Sequence, residues 1–348
     1  MTRRWFVAAV LGVSMLAMAQ RPKVDNAQFH TESASAGLTA TVNRLQHTSG
    51  PQWLGYEVAA IPRTHYSACS GGTRSSGDDA FCGVYRLEDS DNTFQSDDNK
   101  VAPQTSIDIL VRIDKDRIDK IRFVGNGCRL DAGGLSFTWV TEVKAEDSVT
   151  WLSSLVTTER KLVIDQALAA IAAHEAAKAT AVLESFAASK NPLWLREKAA
   201  FWLGVGRGSD GYLALKKLTA DPDPEFRKKL SFDLFVSRDP AAVDDLIHMA
   251  KSDQDVAVRE QAIFWVGQKA GAKALATLKD TIESDPETGV KKKAVFAISQ
   301  LPKDEAVPEL LRIAQTNTNP AVRKDAIFWL GQTHDPRALA YFEQILEH

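Results

Sequence analysis

The C-terminal half of the chain repeats itself at a period of about 32 residues, and a repeat that short leaves few folds open. Leu195–Gly204 (LREKAAFWLG) recurs as Val258–Gly267 (VREQAIFWVG) and Val322–Gly331 (VRKDAIFWLG), with diverged copies at Phe226–Leu234 (FRKKLSFDL) and Val290–Ile298 (VKKKAVFAI). The basic positions Arg196, Arg227, Arg259, Lys291 and Arg323 are spaced by 31, 32, 32 and 32 residues. One further step back lands on Val163–Ile171 (VIDQALAAI), a degenerate first copy, so six units result. Each carries a second amphipathic segment about a dozen residues on, as in Ala241–Lys251, Ala272–Ile282, Ala306–Gln315 and Arg337–Leu346. One helical pair cannot bury its apolar face alone, so a repeat of two helices in about thirty residues predicts a stacked α-solenoid.

Capping residues point the same way. Asn191-Pro192, Asp223-Pro224 and Asn319-Pro320 place a capping side chain before proline, and Asp255 holds the equivalent position. Gly204, Gly267 and Gly331 are expected where each first helix stops. With V-R-x-x-A-x-x-x-L-G as its core, the unit resembles the short HEAT-like repeats of the phycobilin-lyase type, over roughly residues 160–348. Such repeats occur in lyases, envelope proteins and regulatory scaffolds, so the resemblance implies a fold and a binding surface without an activity.

The N-terminal half has a different period. Trp53–Val58, Gly83–Leu87 and Ser136–Val140 alternate as strands do, and Ile107–Ile113 and Ile118–Val124 flank the polar turn 114–117 as an antiparallel hairpin. Long loops are expected over 67–100. Gly125-Asn126-Gly127 lacks the third glycine of a dinucleotide loop, Leu130 standing there, and reads as a tight turn. The expected class is α+β: a tether or short helix over 20–50, a β-rich domain over 51–146 and the solenoid over 147–348, opened by a helix cap at Asp147-Ser148.

Residues 1–19 read as an export signal. Arg3 and Arg4 precede the uncharged run Trp5–Met18, and Ala17-Met18-Ala19 has the small-x-small pattern, predicting cleavage after Ala19 and a periplasmic or secreted protein with no membrane span thereafter. Export implies an oxidising compartment, where Cys69 and Cys82 are expected to form a disulfide across a glycine-rich loop, with Cys128 left over. His65 with the three cysteines is the alternative, a zinc site, though the spacings lack paired C-x-x-C knuckles.

The repeat positions supply the candidate sites. The row Arg196, Arg227, Arg259, Lys291 and Arg323 could bind anions, but Asp223, Asp255 and Glu287 recur with it and predict structural ion pairs. The ladder Trp202, Asp233, Trp265, Ala297 and Trp329 falls at the edge of the apolar face, which suggests a seam between units and predicts core packing for the tryptophans. Phe201, Phe232, Phe264, Phe296 and Phe328 are present in all five clear copies, yet helical counting places them about 240° round the helix, among polar positions. A row of aromatics facing away from the core marks either a binding surface for another protein or a face covered by a connecting loop or by the sheet domain folding back. On the second helices, Asp245, Thr277, Glu309 and Tyr341, with His248, Asp280, Arg312 and Gln344, are expected to line the concave face.

No H-E-x-x-H, G-x-S-x-G or Walker loop occurs, so no catalytic residue, metal or bound cofactor is called for. Lys plus Arg at 42 against Asp plus Glu at 45 gives no electrostatic case for nucleic acid. These observations predict an exported protein-binding scaffold or adaptor. The alternatives are an enzyme subunit that presents a substrate, as the lyase resemblance implies, and a redox or ligand sensor built on the cysteine-bearing sheets.

Overall fold

The computed structural model describes residues 21–347 apart from 49, 62–79, 90–93, 102–104, 158 and 270–271. The export signal, His65 and Cys69 therefore lie outside the described residues. The chain divides into two units, one of sheets ending at Lys144 and one of helices running from Ala145.

The sheet unit contains β1 (Lys23–Asp25), β2 (Gln28–Ser33), helix α1 (Leu38–Gln46), β3 (Gln52–Ala59), β4 (Ala80–Arg86), β5 (Phe94–Val101), β6 (Ser106–Asp114), β7 (Arg117–Gly125), β8 (Arg129–Asp131) and β9 (Ser136–Thr141). They form a four-stranded sheet in the order β1-β8-β4-β5 and a five-stranded sheet in the order β2-β9-β3-β6-β7. The β6–β7 hairpin stands where alternation predicted it. Lys115 and Asp116 both have positive φ (51° and 60°), the geometry that lets a two-residue loop follow the strand twist. Trp53, Leu110, Val124, Phe137 and Trp139 of the larger sheet close over Tyr85, Leu87, Leu130 and Ala132 to make the core.

Two expectations are corrected here. Residues 20–50 are not a tether: besides α1 they supply β1 and β2, which pair in parallel with β8 and β9. The stretch 67–100 includes strands β4 and β5, so it is not simply loop. Gly125-Asn126-Gly127 is a turn, with Gly127 at φ 93°.

The helical unit opens with α2 (Ala145–Leu155), which already contains Asp147 and Ser148 rather than being capped by them. Six helix pairs follow. They are α3 (Lys161–Ala173) with α4 (Lys178–Ala187), α5 (Leu193–Gly206) with α6 (Gly208–Leu218), α7 (Pro224–Val236) with α8 (Ala242–Ser252), α9 (Val256–Gln268) with α10 (Ala272–Ser284), α11 (Thr288–Ser299) with α12 (Lys303–Thr316), and α13 (Pro320–Thr333) with α14 (Pro336–Leu346). The side chains of Asp223, Asp255 and Asn319 cap α7, α9 and α13 as expected. Asn191 does not cap α5; its amide donates back to the Ser185 and Phe186 carbonyls.

The three repeat glycines are not helix stops, since α5, α9 and α13 run through them. A Cβ on Gly204 would lie 2.7 Å from the Asp233 carbonyl oxygen, and one on Gly267 would lie 2.5 Å from the Ala297 Cβ. Their role is close approach of the next first helix. A Cβ on Gly331 would meet nothing within 4 Å. Successive first helices pack closely along the whole row, whereas successive second helices touch sparingly. The more closely spaced row forms the inner edge of a curved stack, so the concave face belongs to the first helices and not, as expected, to the second.

Candidate functional site

The arginine row is structural. Arg227 donates from Nε and Nη2 to the Asp253 carboxylate at 2.8 Å each, and Arg259 pairs with Asp285 at 3.0 Å. Arg196 Nη2 lies 2.6 Å from Asp221 and its Nη1 lies 3.3 Å from Asp223. The main partners are thus not the expected Asp223, Asp255 and Glu287 but acids two residues earlier, in the loop that opens the next unit. Each arginine also ties down its own loop: Arg227, Arg259 and Arg323 donate to the carbonyls of Asp221, Asp253 and Asn317. Hydrogen bonding to Asp253 raises the Arg227 pKa, and the same bond helps hold the Asp253 carboxyl below its usual range against the opposing effect of burial. With Arg196 only 4% exposed, the guanidinium is spent inside the fold and is not open to a ligand. The positions 221, 253, 285 and 317 were visible in the sequence as a 32-residue series, Asp-Asp-Asp-Asn.

The second-helix residues form stitches between neighbours. Asp245 accepts from the Tyr212 hydroxyl at 2.7 Å, Lys251 pairs with Asp280 at 2.5 Å, and Glu309 accepts from Lys279 and Arg312. Burial works against the Glu309 carboxylate, but those two cations outweigh it and hold its pKa down. Thr277 and Glu309 are buried. Among the described residues, no group of three or more His, Cys, Asp or Glu side chains is placed to hold a metal.

The aromatic residues come together. On the inner row of first helices, eight rings run in an unbroken line: Trp202, Phe201, Phe232, Trp265, Phe264, Phe296, Trp329 and Phe328. Successive centroids lie 4.8–6.3 Å apart. Phe201 and Phe232 stack within 4° of parallel, and Phe264 and Phe296 within 6°. None of the five phenylalanines is buried; four are half-buried and Phe328 is 56% exposed. The tryptophans are half-buried members of this line at the seams between units, not core residues.

The row alternates in a way the 32-residue period hides. Helices with glycine at the close-approach position face a small residue on the next helix, as Gly204 faces Asp233 and Gly267 faces Ala297. Phe235 takes the place of glycine on α7 and stacks 4.8 Å from Trp265 of α9. On α11 the matching residue is Ser299, so an aromatic takes the glycine's place on α7 and not on α11.

One hollow in the row measures about 490 Å³ and is lined by Glu197, Lys198, Phe201, Lys228, Lys229, Phe232, Asp233, Gln261 and Trp265. Asp233 on its floor is 3% exposed, and its carboxyl is pushed well above the usual range, first by burial and then by the like charge of Glu197. The Trp265 indole N–H is buried without an acceptor. The corresponding N–H of Trp202 donates to Asp165 at 3.3 Å; two units on, at Trp265, the residue matching Asp165 is Lys228, which cannot accept.

The cysteine expectation is revised in the sheet unit. Cys128 is buried and disulfide-bonded. Because the chain has three cysteines, that bond rules out the expected Cys69–Cys82 pair and removes Cys128 as a zinc thiolate. The side chains of Cys69 and Cys82 lie outside the described residues. β4 runs through position 82 and pairs with β8 from Val84 opposite Arg129.

Tandem antiparallel helix pairs, stacked with their first helices on one face, define an α-solenoid. The family model for HEAT repeats matches residues 213–299 and 275–348, from within α6 to the end of α14, and the preceding pairs continue the same HEAT-like row. Among solved structures, the complex of CpcE and CpcF of phycocyanin lyase from Nostoc sp. PCC7120 is similar at 23% identity, over 44% of this chain and 99% of that one, with a TM-score of 0.34. Human deoxyhypusine hydroxylase in complex with glycerol is similar at 19% identity, over 56% of this chain and 77% of that one, with a TM-score of 0.26. An engineered protein is similar at 17% identity, over 52% and 57%, with a TM-score of 0.30. No curated protein matches the sequence. Among the described residues no helix is long and apolar enough to cross a membrane.

Proposed function

We propose that this protein is an exported scaffold that binds another protein along the aromatic row of its HEAT solenoid. The observation that carries the proposal is the continuity of the row: eight rings from the first helices of five successive pairs lie in contact on the inner face, with all five phenylalanines reachable from solvent. Rings stacked on rings form a rigid apolar surface, and such a surface loses little conformational entropy on binding. The charged residues around the row are largely engaged with one another, as Lys198 is with Asp165 and Lys292 with Asp325, leaving the aromatics as the accessible apolar feature. Export rests on the leader-like first 19 residues.

The test is affinity capture from the exported fraction with the natural chain and with Phe264→Ser/Phe328→Ser. A partner retained by the natural chain and lost from the double variant, with helix content unchanged, is the expected result. Equal recovery moves the interface off the row.

A further inference from the structure

The hollow at Phe201, Phe232 and Trp265 holds a buried acid that packing does not require. The close approach to Gly204 is made by the Asp233 backbone carbonyl and not by its side chain. Two units on, the same position opposite Gly267 is filled by Ala297. Alanine thus does the structural work without a charge. A carboxyl there carries a desolvation cost that a fold without a use for it would shed.

Nor does the chain supply a counter-charge. Three lysines line the hollow, but Lys198 is held by Asp165 at 3.0 Å and Lys228 by Glu225 at 3.0 Å. Lys229, on α7 itself, is exposed, and none of the three forms an ion pair with Asp233. From α9 the hollow receives Gln261 and Trp265, both uncharged, and from α5 it receives Glu197, the same sign as Asp233. Two carboxyls walled by three aromatic rings form a site that lacks a cation: the ring faces attract positive charge and the acids neutralise it.

We propose that this hollow takes a cationic side chain, the guanidinium or ammonium of an arginine or lysine on the bound protein. The proposal rests on the aromatic row being the binding face, and it names the chemistry of the residue that anchors there. The cation lies among Phe201, Phe232 and Trp265 and pairs with Asp233 and Glu197. A cation in the hollow favours the ionised form of Asp233 over the protonated one. Binding therefore strengthens as pH rises.

The experiment needs no partner. The full chain, labelled with 15N, is titrated with butylguanidinium chloride, and with butylurea, butyrate and sodium chloride as neutral, anionic and ionic-strength controls. The Trp265 indole resonance, identified by its loss in Trp265→Phe, reports binding. Butylguanidinium is expected to give a saturable shift with a dissociation constant on the order of millimolar, as suits so small a ligand. Asp233→Asn and Asp233→Ala weaken it about tenfold or more, and the alanine variant is expected to fold because Ala297 already occupies the matching site. Affinity falls as pH is lowered in the natural chain and not in Asp233→Asn. No saturable shift, an equal response to butylurea or butyrate, or an unchanged affinity in both Asp233 variants overturns the proposal. A cation bound in an Asp233-dependent way, together with capture unaffected by Phe264→Ser/Phe328→Ser, leaves the hollow standing and removes the row. Capture lost on the phenylalanine changes, with no cation binding, does the reverse.

Discussion

Gly204 of α5 lies so close to Asp233 of α7 that a methyl group at the glycine would sit 2.7 Å from the aspartate carbonyl oxygen. The same contact recurs at Gly267, where the obstacle is Ala297 at 2.5 Å, and it is absent at Gly331. Gly204→Ala and Gly267→Ala are each expected to destabilise the solenoid by about 1–3 kcal/mol, because the seam must open to admit the methyl. Gly331→Ala meets nothing and is expected to stabilise by about 0.4–1 kcal/mol through the unfolded chain. Thermal unfolding of the three variants checks the contrast, and equal effects at all three would show that close packing is not what the glycines provide.

The arginine row makes the second prediction. Arg259 and Asp285 are both buried, with Nε and Oδ2 3.0 Å apart across a unit boundary. Asp285→Ala strands the guanidinium inside the stack and is expected to cost about 3–5 kcal/mol. By contrast, Asp244→Ala, which removes a mostly exposed partner of Lys273, is expected to cost under about 1 kcal/mol. Urea unfolding midpoints measure both, and a small loss at Asp285 would show the pair to be dispensable.

How much of this was legible in the sequence follows from what each feature depends on. The six helix pairs and the β6–β7 hairpin were readable because their signals are local: a 32-residue recurrence, and alternation across a short polar turn. β1 and β2 were not, because three- and six-residue strands find their partners more than a hundred residues away, at β8 and β9. The phenylalanine row was visible as five aromatics at a polar angle. Its continuity was not, since that needs Trp265 and Trp329 to lean across a seam onto Phe232 and Phe296. Asp233 looked like a degenerate copy of a tryptophan position, and only the burial of its carboxyl sets it apart.

Within the ring line, exposure separates stability from binding. Phe328, at the end and 56% exposed, touches only Trp329 among the rings of the line. Phe328→Ser is expected to leave the unfolding temperature nearly unchanged. Phe232 stacks on Phe201 at 6.2 Å and meets Trp265 at 4.8 Å, so Phe232→Ala is expected to cost about 3 kcal/mol or more. Differential scanning calorimetry of the two variants checks this, and a comparable loss at Phe328 would place that ring in the core.

Two buried titratable groups give the units opposite responses to pH. His174, in the helical unit, donates from Nδ1 to the Ala170 carbonyl at 2.7 Å and accepts at Nε2 from the Ser148 hydroxyl at 2.8 Å, and burial lowers its pKa to about 4. Its unfolded value is about 6.5, so the unfolded chain binds the extra proton first, and helical stability falls as pH drops from about 6.5 to about 4. Asp108 of β6 behaves in the opposite sense. Both its oxygens are buried without a hydrogen bond, and burial, then the charge of Glu57, raises its pKa to about 8. Glu57 is itself satisfied, accepting from Ser106 Oγ and Asn126 Nδ2 at 2.5 Å each. The folded sheet unit holds the Asp108 proton where the unfolded chain, at about 3.9, has released it. Sheet stability is therefore expected to decline from about pH 4 to about pH 8, by up to roughly 1.4 kcal/mol per pH unit. Asp108→Asn keeps the shape without the proton and should flatten that slope, raising stability at pH 8. Hydrogen exchange of the β6 and β7 amides from pH 5 to pH 8, corrected for intrinsic rates, reads the sheet unit separately from the helices. A slope equal in the natural chain and Asp108→Asn would show that another group carries it.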